Sequence, residues 1–254
     1  MDMMKRANRV AEIITNKGIA AKVMIKNNNG VEKIGFTLGD GIVRPTIYPD
    51  LETTNDLDKI ADNIIDSYNQ HKDDGNMFND IVDKFTDFNS IKQDIIPALV
   101  KECTEDVVSR DFLDLKIVYR YMINNDASIL IRKQHLEVWD KTETDIYDIA
   151  LNNVRDSYVD IPLPGDVGMR VILNTKRNYG ATALLFPELF EKYGNDARIL
   201  PSSIHEVIVI ENSQIEDNSL VEMIMSVNET ELNPEEILSN HPYRYEDGII
   251  KGVA

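Results

Sequence analysis

The stretch RILPSSIHEVIVIEN, residues 198–212, decides how this chain is read. Val207, Ile208, Val209 and Ile210 are β-branched at every position in a run too short for a helix, the mark of a strand buried on both faces. Pro201, Ser202 and Ser203 punctuate the chain before it, so His205 and Glu206 are expected at the strand's entrance beside two hydroxyls. Polar groups held at the end of a rigid strand are where sites are often built. Ser202, Ser203, His205 and Glu206 are therefore the catalytic candidates, a location that does not by itself name a chemistry.

Outward from this strand the chain alternates hairpins with helices. Upstream, 169–174 and 180–185 read as a hairpin, and Pro187 opens a short helix that stops at Gly194. Downstream, Leu220, Met223, Ile224 and Val227 put one helix face on the core. Asn233-Pro234-x-Glu236 reads as the start of a short helix, and 241–245 as a final strand before a frayed tail. Earlier, 115–122 and 128–132 form a hairpin through Asn124-Asn125-Asp126. His135 and Trp139 share a side if 133–140 is helical, with Trp139 expected in the core beside Tyr147. Thr142-x-x-Asp145 caps the next helix, and 161–165 reads as a loop. The pattern Ile95, Ile96, Leu99, Val100, Cys103 predicts a helix with Pro97 opening or kinking it, and a buried thiol.

The N-terminal part reads α-β-β-β-α. Apolar residues recur at helical spacing from Met3 to Ile14, with Gly18 as a left-handed cap. Two alternating runs follow, Ala21, Val23, Ile25 and Ile34, Phe36, Leu38, joined by Asn27-Asn28-Asn29-Gly30, a strong hairpin signal. Strand 42–48 contains Pro45, which suits an edge, and Gly39-Asp40-Gly41 is a turn. Thr54 or Asn55 is the expected cap of a helix carrying Leu57, Ile60, Ala61, Ile64 and Ile65. The expected organisation is an α+β fold of largely antiparallel sheets built from hairpins with packed helices. It divides into a small unit, 1–72, and a larger α+β unit, 81–254, with a polar linker at about 73–80; the two could also pack as one domain.

With 254 residues, 43% apolar and 28% charged, the chain can bury a full core. Its formal net charge of -17, from 44 acidic against 27 basic residues, repels nucleic acid and anionic lipid, so neither is an expected partner. Cys103 is the one cysteine, which excludes internal disulfides and fits a reducing compartment. The N-terminus has no signal-type apolar core and no run reaches membrane-spanning length, so the expected location is cytoplasmic.

No phosphate-binding glycine loop, dinucleotide fingerprint, zinc cysteine pair or HExxH sequence occurs, and no cofactor is expected. The histidines are His71, His135, His205 and His241. The last three, with Glu206 or Glu137, would suit a transition metal if they converged. Each also has a plainer reading: a helix start, a strand end and a loop. Ser202 or Ser203 with His205 could be nucleophile and base, but PSSIH lacks the glycines of a nucleophile elbow and suits seryl turn caps better. Glu206 points to the face opposite His205 if both are in the strand. Arg170, Lys176, Arg177 and Arg198 are a local excess of positive charge that either holds an anion or neutralises nearby acids.

Several blocks stand out: Pro45-Thr46-Ile47-Tyr48, Phe112-Leu113-Asp114-Leu115 with Val118-Tyr119, and Ile131 before His135-Leu136-Glu137-Val138-Trp139. Further blocks are Ala150-Leu151-Asn152-Asn153, Gly180-Ala181 before Phe186-Pro187, residues 200–207, and Asn228 before Leu238-Ser239 and His241. Together they resemble a family of uncharacterised proteins, mostly from anaerobic gut bacteria, called DUF5688. The resemblance spans about 27–247; Phe186 stands where the family pattern has tyrosine. It implies one architecture over the whole length and transfers no activity or catalytic residue.

The leading expectation is a protein acting by binding, with another protein as partner. His135, Trp139, Arg177, Tyr179, His205 and His241 are the candidate binding residues. A metal-dependent or nucleophilic hydrolase centred on His205 is the alternative, and a DNA mimic the third reading.

Overall fold

The computed structural model describes residues 2–39, 46–72, 81, 84–125, 127–165, 168–176, 178–201, 203–211 and 215–252. The chain forms two compact units, Met1–Thr86 and Asp87–Ala254, and among the described residues their strands make three antiparallel sheets. Pro45 with the rest of 40–45, the expected linker 73–80, Asp126, Arg177 and Ser202 lie outside the described residues.

The first unit runs α1 (Met3–Asn16), β1 (Ala21–Asn28), β2 (Val31–Leu38), β3 (Thr46–Ile47) and α2 (Leu57–Lys72), the expected α-β-β-β-α order. Asn29 and Gly30 take φ of 52° and 81°, which closes the hairpin and sets its register from Asn28↔Val31 to Ala21↔Leu38. Ala7, Val10 and Ile14 of α1 meet Ile60, Ala61 and Ile64 of α2 over Phe36 and Leu38. On the opposite face Gly35 is required, because a Cβ there would stand 2.6 Å from the Tyr48 ring. The cap of α2 is Asp56, whose carboxylate accepts the Lys59 N–H at 3.2 Å. The expected Thr54 instead accepts the N–H of Asp56.

The second unit continues with β4 (Ile95–Val100), β5 (Ser109–Phe112), β6 (Leu115–Met122), β7 (Ser128–Leu130), α3 (Lys133–Trp139) and α4 (Glu143–Val154). It then runs β8 (Tyr158–Pro162), β9 (Met169–Asn174), β10 (Arg198–Leu200), β11 (Glu206–Ile210), α5 (Asp217–Thr230), β12 (Tyr243–Glu246) and β13 (Ile249–Gly252). One sheet has the order β4-β6-β5 with β7 also on β6; the other is six-stranded, β13-β12-β10-β11-β9-β8. The strand that opened the sequence reading is thus an inner one, bonded to β10 and β9. Val207 and Val209 are fully buried on one face, and Ile210 packs on the other with Leu200 beneath Leu220 and Ile224 of α5.

Several sequence expectations change. Residues 95–100 are a strand, not a helix carrying Cys103: their apolar spacing suits both periods, and the antiparallel pairing with β6 decides it. Pro97 is tolerated because β4 is an edge strand, and Cys103, half-buried, packs against Ala98, Val100, Val107 and Val118. Gly180–Leu185 is 3₁₀ helix, not the second strand of a hairpin, since β8 and β11 already take both edges of β9. Ile161 and Pro162 end β8 rather than lying in a loop. Residues 233–236 make one turn that does not propagate into a helix. After β12, Asp247 and Gly248 (φ 50° and 82°) turn the chain into β13 where a frayed tail was expected. On α5, Leu220 and Ile224 are buried, but Met223 and Val227 are 40% and 37% exposed.

Candidate functional site

Pro201, Ser203, Ile204 and His205 lie between β10 and β11. The Ser203 hydroxyl accepts the His205 main-chain N–H at 3.0 Å, as seryl turn caps do. His205 Nδ1 faces the Tyr179 N–H at 3.4 Å, and Nε2 stands 3.6 Å from a Glu236 carboxylate oxygen. Nδ1 is then the acceptor, which places the ring proton on Nε2, toward the carboxylate. The Tyr179 ring lies 5.8 Å from the imidazole, and the Arg120 guanidinium lies 5.1 Å over that same tyrosine ring. Main-chain bonds reinforce the arrangement, from Ile204 N–H to Glu236 C=O at 2.9 Å and from Ala181 N–H to Ile204 C=O at 3.4 Å.

Two backbone features make this possible. Tyr179 adopts φ 53° at the start of the 3₁₀ run, which turns its ring toward His205. Gly180 packs so closely that a Cβ would stand 2.3 Å from the His205 carbonyl oxygen and 2.8 Å from the Asn174 nitrogen. His205 therefore joins three segments: its own turn, the loop before Gly180 and the turn carrying Glu236. Ser203, 6% exposed, directs its hydroxyl to the main chain; Glu206 is half-buried on β11, opposite Leu173.

The other two predicted histidines have separate surroundings. His135 Nδ1 accepts the Arg132 N–H at 3.1 Å, capping its own helix. Its ring lies 5.8 Å from Trp139, which meets Phe88 at 5.6 Å in a tilted pair. Tyr147, the expected neighbour of Trp139, lies under the Arg110 guanidinium at 3.8 Å. Burial, then the Arg132 charge, push the His135 imidazole below its ordinary pKa. His241 Nε2 is 2.9 Å from the Asp114 carboxylate and Nδ1 3.2 Å from the Pro242 carbonyl. The Tyr243 hydroxyl donates to the other Asp114 oxygen; burial and that carboxylate push the phenol up, so it remains a donor. Asp114 sits between β5 and β6, so this contact pins one sheet of the unit to the other. Among the described residues no group of three or more His, Cys, Asp or Glu side chains is disposed to hold a metal ion. Arg170 pairs with Asp160, and Arg198 with Asp217 at 2.7 Å, as the neutralising reading of the basic group has it.

The sequence reading missed Glu236 and Asp114, which no local pattern links to histidines in other segments. It also missed the outer edge of β1. This strand ends its sheet, and the two-residue turn fixes which of its groups face outward. Gly39 N–H donates to Ala20 C=O at 2.8 Å, so by alternation residues 22, 24, 26 and 28 bond to β2. Ala21, Val23, Ile25 and Asn27 then direct N–H and C=O away from the sheet, and among the described residues no strand pairs with them. A shallow groove runs beside this edge, walled by Asn8, Ala11, Glu12 and Thr15 of α1 and floored by Ala21 and Val23. Ile25, 50% exposed, continues the floor beyond it.

These features define an α+β protein of antiparallel sheets, with a closed polar clasp in its second unit and an open strand edge in its first. The chain belongs to the family of unknown function DUF5688, whose model matches residues 5–161 and 156–247. The two matched segments overlap at 156–161, where β8 begins, inside the second unit rather than at the boundary between units. No curated protein and no solved structure matches the chain. Among the described residues no helix is long and apolar enough to cross a membrane.

Proposed function

We propose that the chain is a protein-binding module that works without a cofactor and takes an extended segment of another protein as an added strand along β1. The observation that carries this is the row of outward N–H and C=O groups at Ala21, Val23, Ile25 and Asn27, lying beside a groove whose other wall is α1. Strand addition gains affinity from main-chain hydrogen bonds and selectivity from alternate side chains. The His205 cluster fits this reading as a scaffold element, because its ring and the Ser203 hydroxyl are turned to groups of the protein itself.

The test is capture from native cell extract by the full chain and by Val23→Pro, which removes one outward donor without touching the ladder to β2. Loss of the captured protein with the variant, together with slowed amide exchange at Val23 and Ile25 in the wild-type complex, is the expected result. Equal capture by both chains ends the proposal. Zinc bound stoichiometrically to the captured sample would restore the metal-dependent alternative.

A further inference from the structure

The second unit holds a cleft of about 650 Å³, lined by Pro187, Glu188 and Glu191 of the 3₁₀ turns after Phe186, by Asn195 before β10, and by Tyr245 and Asp247 where β12 turns toward β13. Among the described residues no lysine or arginine lines it. Arg155 reaches Glu188 at 2.8 Å, while the neighbouring Lys192 and Lys251 are turned to Asp160 and Glu246. One Asp247 oxygen accepts the Asn195 amide at 2.8 Å; among the described residues the Glu191 carboxylate has no hydrogen bond or ion pair. Tyr245 adds an independent observation. It lines the cleft although it is only 6% exposed, and among the described residues no group is hydrogen-bonded to its hydroxyl. Tyr119, Tyr193 and Tyr243 are buried to the same degree, and each donates its hydroxyl to a carboxylate, of Glu143, Asp160 and Asp114. A buried hydroxyl without a partner costs free energy that a ligand atom in the cleft recovers.

We infer that this cleft binds an alkyl diamine in its doubly charged form. An ammonium group supplies three N–H donors and no acceptor, which suits carboxylates and a hydroxyl oxygen. Two separated charges are favoured over one because the acids line a common cleft without converging: among the described residues no three acidic, histidine or cysteine groups are disposed around a metal ion. The Pro187 ring offers the alkyl chain an apolar wall. The net charge of -17 adds a general attraction for cations, which the cleft makes selective. The site lies in the other unit from β1 and does not rest on strand addition.

The experiment titrates putrescine calorimetrically into the full chain at low salt. One saturable site is expected, with 1-butylamine weaker by about tenfold for want of the second charge-assisted contact. Tyr245→Phe should weaken putrescine about fivefold and leave the urea midpoint unchanged, since its hydroxyl has no protein partner to lose. A midpoint that falls, or affinity that does not, overturns the inference. Glu191→Gln with Asp247→Asn should weaken binding about tenfold. Glu222→Gln with Glu229→Gln makes the same change of net charge at exposed positions of α5, and should stay within about twofold of wild type. Equal weakening by the two pairs, or binding that never saturates, is attraction to the acidic surface at large and also overturns it. Tighter binding of acetyl-KGK-amide than of putrescine at the same site supports a diammonium site whose natural source is the lysines of a partner chain.

Discussion

Two strands of this protein, β1 and β11, solve the same main-chain problem in opposite ways. β11 lies inside its sheet, so β9 and β10 take its hydrogen bonds on both sides, and the turn that feeds it is tied through His205 to Tyr179 and Glu236. Among the described residues β1 ends its sheet and is paired with β2 alone. Their compositions follow. EVIVI is β-branched throughout its centre, as burial on two faces demands, whereas AKVMIKNN alternates lysines with apolar residues and leaves Ile25 half exposed. A polar cluster that attracts attention in the sequence is therefore the closed part of the molecule. The plain-looking hairpin is the part with main-chain groups left to offer.

The contrast breaks if changes in the closed region prove harmless or changes at the open edge prove costly. Gly180→Ala should have the largest effect, about 3 kcal/mol lost in urea unfolding, because its methyl would overlap backbone atoms of His205, Asn174 and Leu173 that have nowhere to move. Met24→Pro should cost about the same, since Met24 bonds to β2 in the assigned register and proline both removes that donor and distorts the ladder. Next comes Asp160→Asn, on the order of 2 kcal/mol near neutral pH. Burial alone would raise the Asp160 carboxyl, but hydrogen bonds from Lys192, Tyr193 and Arg170 outweigh it and hold it below the ordinary 3.8. A carboxyl depressed by folding adds stability that is full above its unfolded value and lost as pH falls through its folded one. The gap between wild type and Asp160→Asn should therefore be widest above about pH 4 and close below it, as followed by denaturant midpoints across pH.

Smaller effects sharpen the comparison. His205→Ala should lose about 1 kcal/mol, the worth of one ordinary hydrogen bond and its ring packing, and in that variant hydrogen exchange at the Tyr179 amide should show faster opening than at β9. Val23→Pro should change the unfolding midpoint least of all, within about 1 kcal/mol, because its N–H faces away from β2. If Val23→Pro and Met24→Pro destabilise equally, the register that makes the β1 edge available is wrong.

Much of this architecture can be read locally. The Asn29-Gly30 turn, the Thr142–Asp145 capping box and the β-branched run of β11 each carry their own instruction, and each forms as its residues predict. Thr142 and Asp145 bond reciprocally, the Asp145 carboxylate accepting the Thr142 N–H at 2.8 Å. The failures share one cause. Residues 95–100 and 180–185 have apolar spacing compatible with either period, and only the strand that lies alongside chooses. The site was half legible: the position of His205 at the mouth of a buried strand follows from the residues before Val207, but its partners Tyr179 and Glu236 come from elsewhere in the chain.

By itself the sequence determined the α+β class, the hairpins with their turns, and the burial of β11, because these depend on propensities and periodicities acting over a few residues. The tertiary structure alone decided that His135, His205 and His241 meet different partners, that Gly180 must lack a side chain, and that among the described residues β1 rather than β11 keeps an unpaired edge. Those outcomes depend on which strands become neighbours in a sheet, and a strand's own residues specify its faces far more strongly than the order in which its sheet is assembled.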